Sequence, residues 1–141
     1  MLVRCLYASR TAKPGDTRAL AEILAVSRRR NVQLGVTGLL CVAGDVFIQV
    51  LEGGRDEVNT LYNRIVADPR HEHVRLLSYQ EIPTRRFSLW SMGKVDTATL
   101  NAALVLKYFR TSTLDPFDGS GDATLGLLLE LVDTGAVAQR D

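Results

Sequence analysis

Four places in the chain put polar side chains on otherwise apolar elements: Tyr7, Asn31, Gln49 and the Ser91-Met92 pair. Gln49 stands out most. It lies in Val46 to Leu51, where every other residue is apolar, and a second apolar run, Val36 to Val42, precedes it across Ala43-Gly44-Asp45. Glycine supplies the positive φ that a tight reversal requires, so the two runs predict a β-hairpin in the middle of a sheet, covered on both faces. An amide buried there without a partner would cost about 1–3 kcal/mol. Gln49 must therefore bond something, and a neighbouring first strand would bring Tyr7 within reach. A phenol beside an amide makes a donor and acceptor relay. Asn31 by itself says less, because asparagine commonly ends helices in the left-handed conformation.

Other chemistries lack their residues. His71 and His73 are close, but with no accompanying cysteines or third ligand they make a poor metal site. The chain contains neither a phosphate-cradling Gly-x-x-x-x-Gly-Lys run nor a Gly-x-Ser-x-Gly elbow, so phosphoryl transfer and classical hydrolysis are unsupported. Lys plus Arg number 17 against 16 acids, too even a balance to argue for nucleic acid or an anionic membrane. Cys5 and Cys41 fall inside strand-like segments, where buried free thiols are the usual outcome, and a reducing, cytoplasmic setting is expected. With no leader or bilayer-length apolar stretch, neither export nor membrane insertion is expected.

The elements that must position these residues follow from periodicity. With 141 residues, 46% of them hydrophobic, the chain suits one domain with a sizeable core. Residues 2 to 8 predict a first strand. Asp16 or Thr17 caps a helix running to about Arg30, with Leu20, Ile23, Leu24 and Val26 on its apolar side and Arg18, Glu22 and Arg29 facing water. After the hairpin, Asp56-Glu57 opens a second helix that buries Val58, Leu61, Tyr62 and Ile65 and stops at Asp68-Pro69. His73 to Glu81 reads as a fourth strand, and residues 85 to 95 as a loop and a short fifth strand carrying Ser91-Met92. The order β-α-β-β-α-β-β predicts an α+β, ferredoxin-like sheet with both helices on one face. Helices over Thr97 to Phe109 and Ala123 to Val132, separated by a turn-rich linker, are rich in leucine. They would bury the second face or offer it to a partner.

On these residues the sequence resembles the BLUF domains, blue-light sensors that use flavin. The resemblance covers about residues 2 to 96. It rests on Tyr7-Ala8-Ser9, Ser27 with Asn31, Leu34 to Leu40, Phe47 to Gly53, Asp68-Pro69-Arg70-His71, Arg85-Arg86-Phe87 and Trp90-Ser91-Met92-Gly93, all in order. It implies a flavin held between the two helices, with Ile23 and Ile65 on the ring faces, Asn31 at the carbonyl and imide edge, and Asp68 and Arg70 on the pyrimidine side. Ser27 belongs to the same cofactor-binding set, Arg30 is a neighbour of the cofactor, and His71 serves either binding or structure at a helix-to-strand connection. Arg28 and Arg29 approach a flavin phosphate or are simply solvated charge.

In such a domain Gln49 sits between Tyr7 and the flavin. Blue light drives an electron and a proton from the tyrosine, and they return after the glutamine has rotated or tautomerised, leaving a red-shifted state that reverts in darkness. Trp90 and Met92 relay the change, and either can face the flavin. The resemblance thus implies a blue-light photoreceptor, not an enzyme, made of a sensor domain over residues 1–96 and a helical cap or output extension over 97–141. FAD is the expected cofactor, with FMN or riboflavin able to occupy the same ring site. A homodimer or higher homo-oligomer and a separate downstream signalling protein are expected partners. Two other readings stay open at this level: a small flavoprotein oxidoreductase and a flavin-free regulatory binding module.

Overall fold

A computed structural model describes residues 1–95, 97, 100–135 and 137–138. The elements are β1 (Leu2–Thr11), α1 (Thr17–Leu34), β2 (Thr37–Ala43), β3 (Val46–Gly54), α2 (Arg55–Ala67), β4 (His71–Ile82), β5 (Gly93–Val95), α3 (Ala102–Tyr108), α4 (Gly121–Asp133) and β6 (Val137–Ala138). The strands form one sheet in the order β4-β1-β3-β2-β5-β6. The first four strands pair antiparallel and β5 runs parallel to β2, which is the ferredoxin-like arrangement with an added edge.

Strand alternation sorts the core into two layers. Val3, Cys5, Tyr7, Phe47 and Leu51 point to one face, where Leu24 of α1 and Val58, Leu61 and Ile65 of α2 cover them. Leu6, Ala8, Ile48 and Val50 point to the other, beneath Val105 of α3 and Leu127, Leu128 and Leu131 of α4. The leucine-rich tail therefore buries the second face of its own sheet. Cys5 and Cys41 are free and buried, and burial pushes both thiols up to about 12, which leaves them unreactive.

Several boundaries differ from those the periodicity predicts. Asp16 caps α1 as expected, its side chain accepting from Ala19 N, but the helix runs a full turn past Arg30. It stops only where Gly35 takes the left-handed conformation, φ 67°, and donates to the Asn31 and Val32 carbonyls. Asn31 is thus inside the helix and not its terminator. Val26, expected on the apolar side, is exposed, because the stripe turns through Leu24 and Ser27 instead.

The fourth strand starts at His71, two residues early, and its register against β1 shifts twice, with His73 at φ 51°. Those bulges explain its imperfect alternation. Ser91 and Met92 precede β5 and are not part of it. The helix expected from Thr97 begins at Ala102, where the Asn101 side chain accepts from Leu104 N and sets the start. Residues 96, 98 and 99 lie outside the described residues. Two residues after α4 add β6 to the edge of β5, a pairing too short to leave a sequence signal. None of the described helices is long and apolar enough to cross a membrane.

Candidate functional site

Antiparallel pairing of β1 with β3 sets Tyr7 directly opposite Gln49. The Tyr7 hydroxyl donates to Gln49 Oε1, and Gln49 Nε2 donates to Met92 Sδ at 3.3 Å. Tyr7 and Met92 are fully buried, and Gln49 is 7% exposed. Burial raises the Tyr7 phenol well above its ordinary value, with the neighbouring Cys5 adding to the shift, so the proton stays on oxygen in the resting protein. Sulfur accepts only weakly, which leaves Gln49 with one strong bond and one soft one. Of the two residues expected to face this point, Met92 does so. Trp90 is half-buried and packs with the core on the other side of the sheet.

Beside Gln49 a cleft opens between α1 and α2, with about 480 Å³ of atom-free space including the part open to solvent. Its apolar walls are Ile23, Leu40, Phe47 and Ile65. Its polar lining consists of Ser27, Arg30, Gln49, Arg64, Asp68, Arg70 and His71. At the rim Asp68 accepts from Arg70 Nε and Nη2, the latter at 2.6 Å, and from the Arg70 backbone N–H at 2.9 Å. The bonds to Arg70 hold the Asp68 carboxyl below its usual range. His71 Nδ1 lies 2.8 Å from Ser9 Oγ, and burial lowers the imidazole pKa. Burial and the nearby Arg64 both work against the charge on Arg30.

Two atoms near the cleft lack what such atoms need. Arg30 Nε, a donor, and Asn31 Oδ1, an acceptor, are buried with no hydrogen-bond partner among the described residues. Asn31 does not line the cleft directly, and its Nδ2 donates to the Ser91 carbonyl at 2.7 Å. A flat apolar ring edged with carbonyl and ring-nitrogen acceptors and one imide N–H fits this donor set. Ile23 and Ile65 suit its faces, Arg30 Nε its acceptors, and Asn31 Oδ1 its imide. Such a group would remove two buried orphans, each costing about 1–3 kcal/mol.

Some residues that shape the site were not singled out from sequence. Glu52 is fully buried on β3 and receives Arg4 Nε at 2.9 Å, Arg86 N at 2.9 Å and Phe87 N at 2.7 Å, fastening the segment that leads to Met92. The signal for it was the same as for Gln49, a polar residue in an apolar strand. Ser9, Phe47 and Arg64 gave no such signal. Arg28, read as phosphate-binding or solvated, instead donates from Nε to the Met92 carbonyl at 3.0 Å.

A ferredoxin-like sheet with a cleft between its helices, and a tyrosine-glutamine pair at the cleft, fits a flavin-binding sensor domain. Residues 2–93 match the family model described as BLUF, sensors of blue-light using FAD, and the chain belongs to that family. The family is described as one of sensors, with FAD as the cofactor. The blue light- and temperature-regulated antirepressor BluF of Escherichia coli K12 is 34% identical over 96 residues, 68% of this chain and 24% of that protein. Photoactivated adenylate cyclase subunit alpha of Euglena gracilis is 34% identical over 107 residues, 73% of this chain and 10% of that one. The chain thus spans a quarter or less of these relatives.

Two solved structures match nearly end to end. BlsA in its photo-activated state superposes with a TM-score of 0.86 at 29% identity, covering 100% of this chain and 99% of BlsA. The dark state of BlrB, a BLUF protein, superposes with a TM-score of 0.79 at 33% identity, covering 95% and 96% of the two chains.

Proposed function

We propose that this protein is a blue-light photoreceptor in which Tyr7 and Gln49 form the photochemical relay and Met92 passes the change to β5. The hydrogen-bonded series Tyr7–Gln49–Met92 beside the cleft between α1 and α2 is the observation that carries the reading. A flavin held in the cleft would supply a blue-light-absorbing ring that, once excited, could take an electron from a nearby phenol. Tyr7 loses its phenolic proton along the existing bond to Gln49 Oε1 as it loses the electron, and both later return to it. Gln49 has two unlike ends, so turning its amide through a half-circle presents Nε2 to the Tyr7 oxygen and Oε1 to Met92 Sδ. Two acceptors then face each other and the Met92 contact is lost, which converts an amide rotation into a push on the chain entering β5.

Placement supports the remaining roles. Ile23 and Ile65 clamp the ring, Ser27, Arg30, Asn31, Asp68 and Arg70 hold its polar edge, and His71 orders the floor through Ser9. Trp90, packed under the opposite layer, carries movement of the 84–92 segment toward α3 and α4. Residues 1–96 act as the sensor and 97–141 as cap and output extension, acting in the cytoplasm on a separate signalling protein and as a homodimer or higher homo-oligomer. FAD is the family's cofactor, and FMN or riboflavin would present the same ring.

The test is the visible spectrum before, during and after blue illumination, for the native chain and for Gln49→Leu. The native protein is expected to shift slightly to the red and recover in darkness. Gln49→Leu is expected to keep its flavin and lose the shift. A normal reversible shift in that variant would remove Gln49 from the relay, and light-driven bleaching of the native protein would favour an oxidoreductase.

A further inference from the structure

Met92 is gripped at both ends. Its sulfur receives Gln49 Nε2, and its main-chain carbonyl receives Arg28 Nε at 3.0 Å. The carbonyl before it, that of Ser91, receives Asn31 Nδ2 at 2.7 Å. Arg28 and Asn31 are three residues apart on α1 and so share a face, which makes this helix a clamp on two successive peptide groups. One residue earlier, the Trp90 carbonyl is held by Gly38 N at 3.0 Å. One residue later, Gly93 enters β5 against Leu39. Arg29, the next residue on the helix, is exposed and lines no part of the cleft.

The three carbonyl contacts differ in kind. Gly38 belongs to the sheet, and Asn31 is already part of the flavin set. Arg28 reaches Met92 from a half-buried position on the helix that also supplies Ile23, Ser27 and Arg30 to the cleft. A bond from a guanidinium is charge-assisted, stronger than a neutral one, and here it acts on the residue that meets Gln49.

We propose that Arg28 is a positioning residue of the photosensory site: its bond to the Met92 carbonyl holds the main chain where the Met92 sulfur can accept from Gln49. The inference rests on the reading of Gln49 and Met92 as relay residues. With the clamp in place, a turn of the Gln49 amide displaces a methionine whose backbone is fixed, so movement is delivered to β5. Without it the sulfur drifts from Gln49 even in darkness.

The test uses the flavin-loaded protein with methyl-labelled methionine. The chain has two methionines, and Met1 is 74% exposed while Met92 is buried, so their signals separate. In Arg28→Ala the dark Met92 methyl resonance is expected to move part of the way toward its illuminated position. Exchange protection of the Met92 and Gly93 amides is expected to fall roughly fivefold relative to amides of β1. Arg28→Lys, which keeps the charge and a donor, is expected to restore part of both, and Arg29→Ala neither shift nor loss. Arg28→Gln carries the same expectation as Arg28→Ala and replaces it if that variant fails to hold flavin.

A wild-type methyl position and wild-type protection in the Arg28 variants would overturn the proposal. So would an equal loss of protection in β1 and β5, which marks general destabilisation. If the native methyl signal does not move in light, the relay reading fails by itself, and the dark exchange measurements still decide whether Arg28 positions Met92.

Discussion

His71 faces the cleft with its Nδ1 2.8 Å from Ser9 Oγ, and its ring sits edge-on to Phe47 at 5.4 Å between centroids. Burial holds its pKa below the ordinary 6.5, so the folded protein keeps it neutral where the unfolded chain takes a proton. Above 6.5 both forms are neutral and the group has no effect on stability. As pH falls below 6.5, the unfolded state binds more protons, and stability drops until the folded imidazole titrates too. Denaturant midpoints are therefore expected to fall on acidification through that window, and His71→Gln to flatten the fall; an unchanged slope would place the imidazole in water. Asp68 acts in a lower window, because its bonds to Arg70 depress the carboxyl below 3.8 and are lost only in stronger acid.

At the scale of elements, the helices after β5 form part of the protein's core. Leu127, Leu128 and Leu131 of α4 are each 1% exposed and pack with Ile48 and Val50 on the sheet and with Phe87 of the segment after β4. Leu128→Ala is expected to destabilise the protein by about 2–5 kcal/mol, as buried leucine truncations do. Equilibrium denaturation checks this, and a loss below about 1 kcal/mol would mean that α4 is only loosely applied. Glycine permits the opposite close approach in β2: a Cβ on Gly38 would lie 1.9 Å from the Val50 carbonyl oxygen, so β2 and β3 can pair there only without one. That pairing also presents Gly38 N to the Trp90 carbonyl, which ties the hairpin to the segment leading into β5.

Considered whole, the molecule places the α1–α2 layer with its cleft and the α3–α4 cap layer on opposite faces of one sheet, with the 84–92 segment passing between them. The second sheet face, which the sequence left either to the tail helices or to a partner, is closed by α3 and α4. The β4 edge is exposed, with Leu76 and Tyr79 52% and 42% accessible. An edge strand presents unpaired backbone groups and invites a partner strand. Self-association is expected through this edge, and sedimentation of the native protein should show a dimer that Leu76→Lys disperses. A monomer at every concentration would end that expectation.

The fold class, the hairpin and the pairing of Tyr7 with Gln49 were legible in the sequence. Alternation and glycine-marked turns are local, and an amide in an apolar strand must find a partner whatever the tertiary arrangement. Tyr7 and Gln49 could thus be paired before any coordinate, and so could the two-helix covering of one face. Contacts between distant segments belonged to the tertiary structure. Arg28 looked like surface charge because the Met92 carbonyl it meets is 64 residues away, and a main-chain acceptor leaves no mark in the sequence. Glu52 gave the signal that Gln49 gave, yet besides Arg4 its partners are backbone N–H groups of residues 86 and 87, which any sequence offers. Whether Trp90 or Met92 met Gln49 was likewise open, since both are large and apolar. Packing decided it, with Trp90 in the layer beneath α3 and α4 and Met92 against the amide.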